Sequence, residues 1–348
     1  MKTILTILGL TIYFCFPAFS QDINAEKLDK FFDSLENNHQ TMGSFAVAKN
    51  GKIIYSRSIG FSSIDSTQKI SATKETLYRI GSVTKTFTAT MIFQLIEEGK
   101  ISLHTTLDQY FPQIPNSKKI TVDMLLRHRS GLYNYVIYQQ DSEWIKRPQT
   151  KESIVAIIAT NKSNFPPNKQ VAYCNSGYFL LRCMIESITG LSYNENLQKR
   201  ICTKLQLKNI LSPPDNQRRD NEALSYSLTD NKWVLISDNY FPNITGVGDI
   251  LSTPTDLLIF MDALLDGRLT SIKSLASMKD LRGSGVFGRG IMKINYDKIS
   301  GFGHRGDTFG THTAVARIID DSLTFSSCIN GHVMEPRDIN IAVLKVCY

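Results

Sequence analysis

The chain has 348 residues, 42% of them hydrophobic and 20% charged, with 21 Gly and 11 Pro. That is ordinary globular composition, and it excludes a disordered tail, a collagen-like repeat and a coiled coil. The formal charge of +7 comes from scattered residues such as Lys118-Lys119, Arg127/Arg129 and Arg218-Arg219. With no basic stripe a nucleic-acid partner is excluded, and an anionic polymer is suited only weakly.

The first element is a leader. Lys2 precedes an uncharged apolar run from Ile4 to Phe16, then Pro17 and the small-x-small triplet Ala18-Phe19-Ser20. This is the build of a secretory signal peptide, residues 1–20, cleaved before Gln21. The run is short for a membrane span, and no later stretch approaches about 20 apolar residues. The expectation is an exported protein, periplasmic or extracellular, with no stable membrane span after cleavage. Removing the leader removes one lysine, so +7 becomes +6. It also leaves five cysteines, Cys174, Cys183, Cys202, Cys328 and Cys347, too few and too odd for a disulfide framework. There is no CxxC or HExxH and the six histidines are far apart, so no metal or other cofactor is expected.

Beyond the leader, Leu28, Phe31, Phe32 and Leu35 have helical spacing. Ser44–Ala48 and Lys52–Tyr55 flank Asn50-Gly51, a two-residue hairpin signal. The polar stretch Ser62 to Lys74 is expected to be a loop. A helix opens near Ser82, passes through Phe87, Met91, Leu95 and Ile96, and stops at Gly99. Residues 85 to 225 are mostly helical segments, such as Ser153–Ala159 and Gly177–Ile188, broken by Pro and Asn clusters. Strand-like runs return at Trp233–Ile236, Gly290–Ile294, Thr313–Ile319 and Leu323–Cys328, and Ile339 to Val346 closes the chain as a helix. Strands at both ends around a helical insert predict an α+β fold. Residues 21–80 and 228–348 are expected to form a discontinuous sheet domain and 81–227 a mostly helical one, with a ligand cleft between them.

Three motifs could meet there. Ser82-Val83-Thr84-Lys85 opens a helix, and the i, i+3 spacing puts hydroxyl and amine on one face. A serine is a poor nucleophile until a neighbour takes its proton, and a desolvated lysine can do so. The helix start adds a positive field, and the Ser82 amide can serve a developing oxyanion. The four-residue pattern also occurs at Ser66…Lys69 and Ser71…Lys74, in the polar stretch with no helical period after them. The plainer reading of Ser82 is a helix cap followed by a surface lysine. In Tyr173-Cys174-Asn175, a tyrosine sharing a proton with Lys85 can act as base and then acid, and Asn175 can hold a substrate amide. The plainer reading is a core tyrosine beside a capping asparagine, with Cys174 a packed thiol. In His304-Arg305-Gly306-Asp307, expected to start the last strand pair, Gly306 permits close approach to a ligand and the Asp307 amide is a second oxyanion donor. His304 can hydrogen-bond Tyr173, and Arg305 can receive a carboxylate. The plainer reading is an edge turn with a solvated arginine.

Taken together, Ser-x-x-Lys, Tyr-x-Asn and His-x-Gly in this order resemble the serine β-lactamase-related superfamily. The similar branch contains class C β-lactamases, D-Ala-D-Ala carboxypeptidases, D-aminopeptidases and serine esterases. The segments Ile120–Leu132, Asn175–Leu181 and Gly248–Leu257 also look like family segments, and the resemblance covers roughly residues 25 to 335. It implies the β-lactamase/penicillin-binding-protein-like transpeptidase fold, an antiparallel sheet flanked by helices. It also implies Ser82 as acylated nucleophile, Lys85 as its activator, Tyr173 as proton relay and Asn175 as substrate contact. His128, Ser130 and Gly131 are read as structural. The third motif departs from the β-lactamase Lys-Thr-Gly: His304 stands for the lysine, as in esterase and D-aminopeptidase members, and Arg305 for the threonine. Ser237-Asp238-Asn239 imitates a class A motif, but far too late in the chain. The expectation is an exported serine hydrolase forming an acyl-enzyme on a D-amino-acid peptide, a wall-derived muropeptide or an ester. The alternatives are a catalytically silent peptidoglycan-binding or scaffold protein, and a true β-lactamase.

Overall fold

The structure is a computed structural model that describes residues 23–65, 67–137, 140–319 and 321–347. The leader and Ser66 lie outside the described residues.

Helix α1 (Ala25–Asn37) is capped by Asn24, whose side chain accepts from the Lys27 amide, and it buries Leu28, Phe32 and Leu35. Strands β1 (Thr41–Lys49) and β2 (Lys52–Ile59) form the hairpin at Asn50-Gly51, where both residues take positive φ, 52° and 73°. Within the stretch expected to be a loop, β3 (Phe61–Ile64) and β4 (Lys69–Ser71) pair as a small separate hairpin. The decoy residues Lys69 and Ser71 thus sit on an exposed strand. After β5 (Tyr78–Arg79), a 3-10 turn at Gly81–Val83 leads into α2 (Thr84–Glu97), buried on every side from Thr84 to Leu95. The helical region continues with α3 (Val122–Leu126), α4 (Lys151–Thr160), α5 (Asn175–Thr189), α6 (Tyr193–Leu197) and α7 (Thr203–Leu205).

The chain returns through β6 (Tyr226–Thr229), β7 (Lys232–Leu235) and β8 (Leu251–Ser252), the last pairing with β5. Two helices, α8 (Pro254–Leu265) and α9 (Ile272–Met278), precede the late strands; the sequence reading had only strands here. Then come β9 (Met292–Tyr296), β10 (Ile299–Asp307), β11 (His312–Ile318), β12 (Leu323–His332) and α10 (Pro336–Cys347). His304–Asp307 therefore ends β10 rather than starting a strand.

The main sheet runs β2-β1-β12-β11-β10-β9, all antiparallel, with β6 added in parallel to the end of β12 and β7 beside it. One face packs on α1 and α10: Leu28, Phe32, Ile339 and Val343 share a core with Phe45, Ala314, Ala316 and Phe325. The opposite face lies under α8 and the large helical core, which takes in Val315 and Cys328. Side chains alternate along β10, so His304, opposite Val315, faces the helices, and Arg305, opposite Ala314, faces α10. Among the described residues no helix is long and apolar enough to cross a membrane, and the five described cysteines are unpaired.

Candidate active site

The 3-10 turn and α2 both start without a side-chain cap, so Ser82 is not a capping serine. Its hydroxyl instead accepts from Lys85 Nζ at 3.0 Å. The same amine donates to Val247 O at 2.9 Å and stands 5.0 Å from the centre of the Tyr173 ring. Lys85 is completely buried. Loss of hydration lowers its pKa from 10.5 to about 7, against a smaller opposing effect of Cys174. Near neutrality this amine is therefore free to take a proton.

Val247 is fixed by its loop. The buried Asn243 side chain donates to Ile145 O and Arg147 O and accepts from the Gln149 amide, while Tyr135 Oη donates to Asn243 O. Thr88 on α2 donates to Gly246 O at 2.7 Å. Buried Asp249 accepts from the Gly246 amide and the Ser212 hydroxyl, and burial raises its pKa to about 6.

Tyr173 precedes α5, and its ring lies against His128 with centroids 4.4 Å apart. The phenol oxygen is buried without a hydrogen-bond partner. Burial raises its pKa and the neighbouring Ser82 hydroxyl opposes that, leaving a neutral phenol that keeps its proton. His128 anchors this loop: its Nδ1 accepts from the Cys174 amide at 3.2 Å and its carbonyl from the Ala172 amide at 3.0 Å. Gly131, at φ 73°, leaves room for Phe165 O where a Cβ would stand. The Cys174 thiol is buried and donates to Leu132 O at 3.5 Å. Asn175 opens α5 half-buried and is not among the residues that line the cavity below.

At the end of β10, His304 is 2% exposed. Its Nδ1 lies 2.5 Å from Arg305 O, and since a carbonyl only accepts, Nδ1 carries the proton and Nε2 is left as an acceptor. Burial, and then Lys85, lower its pKa to about 3, so the ring is neutral. The expected bond between His304 and Tyr173 is not formed. Gly306 explains how the strand reaches the serine: a Cβ there would run into Ile80 O and come within 2.6 Å of the Ser82 nitrogen. Gly81, at φ 51°, is pressed equally, since its Cβ would stand 2.7 Å from the Asp307 nitrogen. Gly81 packed on the Asp307 backbone and Gly306 packed on the Ile80–Val83 backbone thus let the turn and the strand end approach closely.

A cavity of about 290 Å³ opens over these groups, lined by Ser82, Tyr173, His304, Arg305 and Asp307. Phe287 and Met292 complete the lining, and nothing in the motif pattern singled them out. Asp238 of the class A look-alike is engaged elsewhere, accepting from Thr308 Oγ1 at 2.6 Å to shape the β10–β11 turn. Among the described residues no cluster of His, Cys, Asp or Glu stands ready for a metal ion.

Comparison with known proteins gives the family and the fold. Residues 28–344 match the family model described as Beta-lactamase. The teichoic acid D-alanine hydrolase of Staphylococcus aureus (strain MRSA252) is 31% identical over 241 residues, which are 68% of this chain and 57% of that protein. The chain thus matches little more than half the length of that relative. Among solved structures, a D-amino acid amidase from Ochrobactrum anthropi SV3 superposes with a TM-score of 0.78 at 25% identity, over 91% of this chain and 98% of the amidase. A penicillin binding protein from Bacillus halodurans reaches 0.78 at 19% identity, over 91% and 99%, a likeness of fold.

Proposed function

Given that the chain belongs to the Beta-lactamase family, a family of serine acyl-transfer hydrolases, we propose that it hydrolyses amides or esters of D-amino acids, D-alanyl groups foremost, through an acyl-enzyme on Ser82. The observation that carries this is the 3.0 Å contact between the Ser82 hydroxyl and a buried Lys85 amine whose pKa is about 7. Neutral Lys85 takes the Ser82 proton as Oγ attacks the carbonyl carbon. The Ser82 and Asp307 amides hold the oxyanion, and one such donor is worth about 2.7–4 kcal/mol. As the carbon–leaving-group bond breaks, Tyr173 protonates the leaving amine or alcohol and recovers a proton from the Lys85 ammonium. Water then attacks the acyl-enzyme, the site takes its proton, and the freed Ser82 oxygen is reprotonated. Arg305, on the cavity lining, is given a substrate contact in this reading, and Asn175 has one only through the family resemblance.

Neutral His304 supplies no charge for the carboxylate of a β-lactam, which favours esters and amides over β-lactams. The D-alanine hydrolase and D-amino acid amidase likenesses support the D-configured substrate. We extend the reading to an exported protein on the strength of the leader sequence.

Matched p-nitrophenyl esters and anilides of D- and L-alanine, with nitrocefin, test this. The D-substrates should be preferred, and Ser82→Ala should lose more than about 10³-fold in kcat. Equal turnover by Ser82→Ala, or a preference for L-alanine, overturns the proposal.

A further inference from the structure

A second cavity, of about 180 Å³, lies behind the strand that carries His304, between the α10 face of the sheet and the start of α10. Four of its lining residues have a buried polar atom with no partner; Thr313 Oγ1 belongs to the sheet's other face, beside Cys328, and Tyr296 Oη, Ser327 Oγ and Asn340 Oδ1 remain. These residues are 1%, 1% and 4% exposed. Buried polar atoms are normally satisfied, so these three around one cavity are groups that a polar ligand could satisfy.

The charged groups give its character. Arg305 and Arg337 border the cavity, and neither guanidinium pairs with a described residue. Both stand near enough to the Tyr296 phenol to oppose the rise in its pKa that burial causes. Asp307 also borders the cavity, but its carboxylate is engaged by His312 Nδ1 at 2.7 Å. Exposed Glu335 at the rim has no ion pair with a described residue. The surroundings are thus of two kinds. Two guanidiniums and two hydroxyls donate, whereas Asn340 Oδ1 and Glu335 accept.

We infer that this cavity binds a small zwitterionic amino acid, its carboxylate held by Arg305, Arg337, Tyr296 and Ser327 and its ammonium by Asn340 Oδ1 and Glu335. An inorganic oxyanion would satisfy only the donors, and a simple amine only the acceptors. Arg305 and Asp307 border this cavity and the one over Ser82 alike, so the two sites share a strand end. The assignment itself does not depend on Ser82 chemistry.

Isothermal titration of the full-length Ser82→Ala protein with D-alanine, L-alanine and glycine tests it, with acetate, methylamine and inorganic phosphate as controls. Using the serine variant keeps the result separate from turnover. At least one amino acid should bind saturably at one site, with each control weaker by about tenfold or more, the worth of a charge-assisted hydrogen bond. Arg337→Met and Ser327→Ala, each added to Ser82→Ala and checked by thermal melting for a retained fold, should weaken the amino acid by a similar factor. The inference is overturned if no amino acid saturates, if phosphate or acetate binds as tightly, or if both added substitutions leave the affinity unchanged.

Discussion

Lys85 lies wholly inside the protein, and the lost hydration of its amine ties activity to pH. Its proton must be absent for Ser82 to be activated, so kcat/KM should rise with pH along an acid limb centred near 7. His304, with its pKa pressed to about 3, adds no limb in the neutral range. A pH–rate profile checks this, and a flat profile from pH 5 to 9 removes Lys85 as the base. The same shift governs stability. The unfolded chain binds the lysine proton up to about pH 10.5 and the folded chain only up to about 7. Stability therefore rises with pH across that window, and the full penalty stands below it. Lys85→Met should be inactive yet about 1–3 kcal/mol more stable than wild type at pH 6, the lost bond to Val247 O offsetting part of the gain. Denaturant melts should show that advantage shrinking towards pH 10. At this scale the sequence was legible where side-chain chemistry is distinctive. Ser82, Lys85, Tyr173 and His304 were all singled out, and they meet. Val247 was not, because it contributes a backbone carbonyl that any residue would offer. Phe287 and Met292 were not, because an apolar wall has no spacing rule.

The 3-10 turn and β10 pack backbone against backbone, Gly81 on Asp307 and Gly306 on Ile80 and Ser82. Gly306→Ala should force the strand off the turn, separate the two amides and lower kcat by roughly 10²–10³-fold, the worth of one oxyanion donor. The overpacking should cost about 1–3 kcal/mol of stability. Burst kinetics and thermal melting together check this, and unchanged kcat at the melting cost would detach the glycine from catalysis. Elements were legible where periodicity or turn chemistry was sharp. The Asn50-Gly51 hairpin, α2 with its stop at Gly99, and α5 all stand close to where the pattern puts them. Helix α8 escaped because Leu257, Leu258, Phe260, Met261 and Leu264 are all buried, and a helix apolar on most sides shows little amphipathic period. The β3–β4 hairpin escaped because its strands have four and three residues and the second is wholly exposed. Residues 299–307 escaped because Gly301, Gly303 and Gly306 interrupt the strand pattern, each where a Cβ would strike neighbouring backbone.

Across the whole molecule, Arg79 joins stretches far apart in the chain. Its guanidinium pairs with Glu222 at 2.7 Å, donates to Asp249 O at 2.9 Å and lies 4.2 Å from the centre of the Phe241 ring. Both partners of the ion pair are under 8% exposed, so Arg79→Met strands a buried carboxylate and should cost about 3–5 kcal/mol in a urea melt. A loss below about 1 kcal/mol would mean that the pair is not held as described. Neither partner stood out in the sequence, since a long-range ion pair has no local signature.

The paired glycines have one more consequence. A methyl group on Gly81 would strike the Asp307 backbone and one on Gly306 the backbone of Ile80, Ser82 and Val83, so a substitution at either position wedges open the same seam. Once the seam has parted, a second wedge meets less resistance, and the damage from altering both should fall short of the sum. A thermodynamic cycle through positions 81 and 306 would measure that shortfall directly, as a coupling between two residues that have no side chains at all.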